Sequence, residues 1–383
     1  MNAVERALAF AALATLAACV ARDTVATAAV PDREAFCRGA GPPILLDGSC
    51  TGALAAAAFS RAVCACGALS LGSDLQTDGF DSRAAPWVAG GAGGDLGANG
   101  GLDFAGTVDV GGSLTIAGAG VQAGERLRVR GDLEIAGGLG RPSTQASVGG
   151  AARIGGDIDV GALDVAGTLT TPPGAIERGA ITAGARTLAT VAVPAPCRCG
   201  VGERIDVAGI VEEYRLSNHN AAIGLASSAL ADVQGDTSLE LPCGLFFLDR
   251  IQATGSAVVL RATGRTAVFV AGGITIDGAL TVQVAEGAEL DLFVAGFLNL
   301  PASVSLGDPL RPRALRIWAG SGGSINLGGS ALSGSLYAPD ADLSANAPLE
   351  VFGAVFINHL AIHAGMTIHY DRAIASAGGA CQR

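Results

Sequence analysis

The sequence predicts an all-β chain built as a right-handed parallel β-helix, a solenoid, with one lateral amphipathic helix. Three observations predict it. First, a short phrase of aliphatic, aromatic, then aliphatic or small residue recurs. It reads Phe246-Phe247-Leu248, Val268-Phe269-Val270, Leu292-Phe293-Val294, Ile317-Trp318-Ala319, Leu336-Tyr337-Ala338 and Val355-Phe356-Ile357. The aromatic recurs at spacings of 22, 24, 25, 19 and 19 residues, the period of a solenoid. Second, a related phrase without the aromatic runs through the N-terminal half. Val108-Asp109-Val110, Gly112, Leu114-Thr115-Ile116, Gly118 is followed by Leu127-Arg128-Val129, Gly131, Leu133-Glu134-Ile135, Gly137. Three-residue alternation broken at a glycine describes strands that meet at a corner. Third, residues 203–216 leave the pattern and set Val207, Ile210, Val211 and Tyr214 at helical spacing. The handedness follows the preference of parallel crossovers.

Taken in order, residues 1–18 are a signal peptide, because the apolar run Ala7 to Ala18 is too short to cross a bilayer. Leu16-Ala17-Ala18-Cys19 resembles a bacterial lipobox, in which Cys19 is lipidated and begins the mature chain. Val20 is not Asp, which by analogy with enteric bacteria points to the outer membrane. Residues 19–50 form a tether, and 51–98 a Cys-containing N-terminal cap region with an Ala-rich helix inside 52–66. Residues 99–200 are an N-terminal solenoid block, 201–240 a helical insertion, 241–374 a C-terminal solenoid block and 375–383 a tail.

Charge and cysteine usage narrow the function classes. The net charge is −11, and all 24 basic residues are Arg. An acidic chain with no basic run is a poor partner for nucleic acid, and a chain without Lys has no P-loop. Of nine Cys, removing Cys19 leaves eight: Cys37, Cys50, Cys64, Cys66, Cys197, Cys199, Cys243 and Cys381. An even number in an exported chain reads as disulfides, with connectivity open. A link between the C-x-C pairs Cys64/Cys66 and Cys197/Cys199, and a small loop closed by Cys37 and Cys50, are the pairings the spacing suggests.

The C-terminal block repeats the N-terminal phrase with one change. Val268-Phe269-Val270, Gly272, Ile274-Thr275-Ile276, Gly278 superimposes on 108–118, so Phe269 takes the outward slot of Asp109. Phe247, Phe269, Phe293, Trp318, Tyr337 and Phe356 then form an outward aromatic ladder. Each ring offers about 150–250 Å², too much apolar area to leave in water. The expected cover is the helix near 203–216, through Val207, Ile210, Val211 and Tyr214. The alternative is that a second chain or a polysaccharide covers it.

Leu336-Tyr337-Ala338-Pro339-Asp340-Ala341, Gly353-Ala354-Val355 and Ile368-His369-Tyr370-Asp371-Arg372-Ala373-Ile374 carry a family resemblance. Roughly over 243–374, the chain resembles an uncharacterised bacterial domain of β-solenoid surface lipoproteins that also occurs in PilX-type pilus-assembly proteins. The resemblance implies a parallel β-helix at the cell surface and brings no catalytic residues.

Chemistry-bearing residues are few. No G-x-S-x-G elbow is present. Gly90-Gly91-Ala92-Gly93-Gly94-Asp95 resembles one copy of a calcium-binding nonapeptide, which functions only as a stack. His359, His363 and His369, with Asp371, are candidate metal ligands, but the plainer reading is solvent-facing or capping residues on the last coils. Asp157, Asp159 and Asp164 have the look of a lyase carboxylate cluster, against the plainer reading of a soluble face. The expectation is a non-enzymatic, lipid-anchored surface or envelope β-helix with a structural or adhesive role, including a pilus-associated one. Its partners are the membrane, through the anchor, and an envelope protein or polysaccharide. No catalytic residue, metal or cofactor is expected. The alternative class is a carbohydrate-active β-helix enzyme of the polysaccharide lyase or hydrolase type.

Overall fold

Strands three to six residues long with aliphatic side chains at alternate positions cannot bury an interior alone, so each lies on its counterpart one turn away. The computed structural model describes residues 32–39, 45–46, 49–50, 52–300, 303–327 and 331–377. The chain is nearly all β, and its strands pair in parallel, apart from one short antiparallel pair near the N-terminus.

In the C-terminal block the strands form three stacks. The first contains Thr237–Leu241, Ala257–Ala262, Ala279–Val284, Ser303–Gly307, then 331–333, 349–352 and Met366–Asp371. The second contains Gly244–Leu248, Arg265–Val270, Glu289–Val294, Leu315–Ala319, then 336–338 and 355–357. The third begins with Ile251–Ala253, Ile274–Ile276 and Leu298–Asn299, and goes on through Gly323–Asn326, Ala341–Ala345 and Leu360–Ile362. Glycine recurs at corners because successive turns touch there: a Cβ on Gly118 would land on the Gly100 backbone, and one on Gly278 on the Ser256 backbone.

The order of the blocks in space differs from their order in sequence. Val355 pairs with Val63, Ile362 with Leu71 and Ile368 with Thr77. The last turn of the C-terminal block therefore sits on the first turn of the N-terminal half. Residues 51–98, expected as a cap, instead supply Val63–Ala65, Leu69–Leu71, Leu75–Phe80 and Leu96–Ala98 to the middle of the stack. The helical insertion does not separate the blocks. A cap needs a free end, and this end is occupied by another turn.

From that junction the N-terminal block grows outward to Glu177–Leu188, the last rung. The chain then returns along the outside. Arg153 donates to the Ala192 carbonyl, and Asn99 exchanges two hydrogen bonds with the Cys197 backbone. Residues 217–233, unassigned from sequence, close the far end of the C-terminal block. There the His219 N–H donates to the Leu245 carbonyl, Asn220 bonds both backbone groups of Phe247, and the Val233 N–H donates to the Gln252 carbonyl.

The opposite end is finished differently. Glu177 and Arg186 sit in register with the interior residues Ile158 and Leu169, so they point inward. Their side chains pair at 2.6 Å across the open mouth of the core. Thr171 donates to Glu177, and Arg186 also donates to the Ile181 carbonyl, so all three sides are laced together.

Candidate functional site

The aromatic slot forms one column through both blocks. Strand register lines up Phe247, Phe269, Phe293, Trp318, Tyr337 and Phe356, then Cys64, Gly97, Thr115, Glu134 and Arg153. Phe269 thus shares its column with Thr115, not with Asp109. Asp109 belongs to the neighbouring stack, whose column passes through Thr281. The expected superposition was displaced by one side of the coil, because every side carries the same alternation.

The six rings face away from the interior yet are at most 2 % exposed. Neighbouring rings from Phe269 to Phe356 have centroids 5.1, 5.8, 5.6 and 4.9 Å apart. Two segments of the same chain cover them. The helix is Val207–Glu213, shorter than the 203–216 expected, with Asp206 as its N-cap. Val207 and Val211 are buried, Ile210 packs at the edge, and Tyr214 stacks on Phe269 with centroids 4.0 Å apart. The Ile205 N–H donates to the Tyr337 hydroxyl at 3.0 Å, and Arg204 pairs with Asp340. The second segment, Gly52–Ala58 and the turn after it, lays Phe59 on Trp318 with centroids 5.3 Å apart. The Tyr370 hydroxyl holds that turn by donating to the Phe59 carbonyl at 2.7 Å. The helix alone is too short for the ladder: seven residues rise about 10 Å. That is why the cover is shared. Burial pushes Tyr214 and Tyr370 up to about 12, and raises Tyr337 too.

Beside the ladder runs a buried ion cluster. Asp291 and Arg316 stand in register on adjacent rungs, each two residues before its aromatic. Arg316 bonds Asp291 at 2.7 and 2.8 Å and Glu289 at 2.7 Å, and Trp318 Nε1 donates to Asp291 at 3.0 Å. Burial opposes the charge on Arg316, but Asp291 and Glu289 outweigh it and hold its pKa above the ordinary arginine value. Opposite charges in the same slot 25 residues apart were the signal that could have revealed this pair.

The other candidate residues separate. His359 pairs with Asp342 on an exposed corner. His369 is buried at the junction, with Nδ1 2.8 Å from Asp78 and Nε2 3.3 Å from Glu350, under the ring of Trp87. Asp371 accepts from the Ser82 backbone and hydroxyl and caps the turn Arg372–Ser376. His363 lies past Ile362, at the end of its strand. Among the described residues no group of three such side chains could hold a metal. Asp157 accepts from the Ile176 N–H, Asp159 pairs with Arg178 and Asp164 accepts from Thr182, on different sides of the coil, so they do not converge. Asp95 of the glycine-rich loop accepts from the Ser113 N–H of the next turn.

Disulfides tie the cover to the coil. Cys64 is bonded to Cys197 and Cys66 to Cys199. Cys37 is bonded to Cys243 and does not close the small loop with Cys50 that the spacing suggested. The N-terminal helix Arg33–Arg38 lies on the first turns of the C-terminal block, where Arg33 donates to the Cys243 carbonyl, so Cys37 finds Cys243. Cys19 and Cys381 lie outside the described residues, and so does the Cys50 side chain.

Residues 204–377 match the model of a domain of unknown function, DUF7305. The DUF7305 span is longer than the 243–374 that carried the resemblance. It begins just before the cover helix and ends just past the turn Arg372–Ser376. No curated protein and no solved structure matches the chain.

Proposed function

We propose that the chain is a right-handed parallel β-helix held at the outer membrane or surface of a bacterium by a lipid on Cys19, with a structural or adhesive role and no enzymatic one. The observation that carries this reading is the use made of the aromatic ladder. Six rings that could have formed a binding face are spent on gluing two segments of the chain to the coil, which favours stiffness over a cleft. The carboxylates at Asp74, Asp95, Asp132, Asp157 and Asp277 each accept a backbone N–H, and so brace successive turns. The lipobox-like run and the resemblance of roughly 243–374 to a domain of PilX-type pilus-assembly proteins support an envelope role, including a pilus-associated one, with an envelope protein or polysaccharide as partner. The test is location and activity together. Wild-type protein should fractionate with outer membranes, and Cys19→Ala should become soluble. Membrane retention of the variant overturns the anchor. New reducing or unsaturated ends, released from acidic polysaccharides by the purified protein, overturn the non-enzymatic part.

A further inference from the structure

Among the described residues three disulfides form: Cys37–Cys243, Cys64–Cys197 and Cys66–Cys199. Of the nine cysteines that leaves Cys19, Cys50 and Cys381. The helix Gly52–Ala58, which begins two residues after Cys50, packs on the turn Arg372–Ser376, which ends five residues before Cys381. We propose that Cys50 and Cys381 are bonded to each other, and that this bridge fastens the cover segment to the chain leaving the C-terminal block.

The contact between helix and turn is a packed one. Ala55, Ala58 and Phe59 are buried on one side, and Ala373, Ile374 and Ala377 on the other. Polar groups hold both partners in place. The Tyr370 hydroxyl donates to the Phe59 carbonyl, and Asp371 caps the turn while accepting from Ser82. Two ends of the sequence are thereby brought side by side. A disulfide needs its Cα atoms about 4.4–6.8 Å apart, and in the three bridges above they are 5.6–5.8 Å apart. From Ala377, four residues of extended chain reach about 14 Å. The helix of seven residues is about 10 Å long. Cys381 is therefore within reach of Cys50 whichever way the turn lies along the helix.

The chemistry is thiol–disulfide exchange. Two thiols become one disulfide, while a disulfide-bearing oxidant of an oxidising compartment takes up the two electrons and two protons and leaves as its dithiol. The bridge deepens the structural role proposed above. A pull on the chain before Arg33 meets Cys37–Cys243 first and Cys50–Cys381 second, and only then can it lift Phe59 from Trp318. Cys19 is kept for the lipid in that reading, but the pairing rests on the contact between helix and turn and does not need the lipid.

The full chain, purified from an oxidising compartment, should be denatured without reductant, labelled with N-ethylmaleimide, digested and mapped by mass spectrometry. The expected result is a peptide pair joining Cys50 to Cys381, with neither residue labelled. The same pair should appear in Cys19→Ala, so a failure of the lipid anchor leaves this proposal standing. In Cys381→Ser, Cys50 should become labelled while the other three bridges persist. Amide hydrogen exchange over residues 52–59 should then be faster than in the wild-type chain, because one fastening of the cover is lost. Labelling of both Cys50 and Cys381 in the wild-type chain overturns the proposal, and so does a bridge from either of them to any other cysteine. Unchanged exchange over 52–59 in Cys381→Ser overturns the fastening role.

Discussion

Phe293 and Glu134 occupy the same column of the same stack, seven rungs apart, and are treated in opposite ways. Phe293 is fully buried beneath chain that passes over it. Glu134 is partly exposed and pairs with Arg153 of the next rung at 2.8 Å. The interior beneath both is equally aliphatic and equally buried: Leu292 and Val294 under one, Leu133 and Ile135 under the other. The difference teaches that the interior holds the turns together while the outward slot decides what else is attached. Aromatics recruit a buried apolar layer, while the charges pair along the column and touch the returning chain only through Arg153 and the Ala192 carbonyl.

The largest expected effect comes from freeing that second layer where the two blocks meet. Cys64–Cys197 and Cys66–Cys199 each close a separation of 133 residues, and closing a loop of that size restrains the unfolded chain by about 5 kcal/mol. The two bridges are nearly redundant, because the second closes only a tiny extra loop once the first exists. Replacing all four cysteines by serine should therefore lower stability by about 7 kcal/mol, and removing either bridge alone by about 2 kcal/mol. Denaturant midpoints of the three variants check it; equal losses would mean that each bridge acts locally.

Next in size is the ladder itself. Trp318→Ala should cost about 3–5 kcal/mol, since its ring supports Phe59 and also bonds Asp291. Glu134→Ala, at the equivalent slot in the N-terminal block, should change stability by no more than about 0.5 kcal/mol. Comparable losses in urea unfolding would erase the distinction between the blocks. The buried cluster sharpens it further. Arg316→Met leaves two carboxylates without their cation and should cost about 3 kcal/mol, much of which returns when Asp291→Leu is added.

The smallest effect is a pH dependence confined to the covered block and the junction. Burial pushes Tyr214 and Tyr370 up to about 12 from the ordinary value of 10.0. A raised folded value means that the folded chain holds its protons longer than the unfolded one. Their contribution is full below pH 10 and is lost as the pH rises through 12. Absorbance titration of tyrosinate should lag behind that of the urea-unfolded chain, and coincident curves would mean that the cover is open.

The coil, its period and its aromatic column were legible because alternation and spacing report directly on burial. Tyr214 was legible for the same reason, standing at helical spacing from Val207 and Val211. Side assignment was not, since 108–110 and 114–116 read alike and only strand register separates them. The junction was not legible either: His369 and Asp78 are 291 residues apart in sequence, and nothing local says which turn meets which. Phe59 was missed because one aromatic in an Ala-rich run carries no period.

The ion pair between Glu177 and Arg186 bears on how large this object can become. A rung with aliphatic residues in those two places would offer its free backbone edge and a greasy end to any similar chain, and growth could continue from one molecule to the next. Inward charges make that step unfavourable, a common defence of exposed strand edges. With the far end already closed by residues 217–233, the pattern has a beginning and a stop written into it. A repeat whose last rung turns charges inward is a poor template for a further rung.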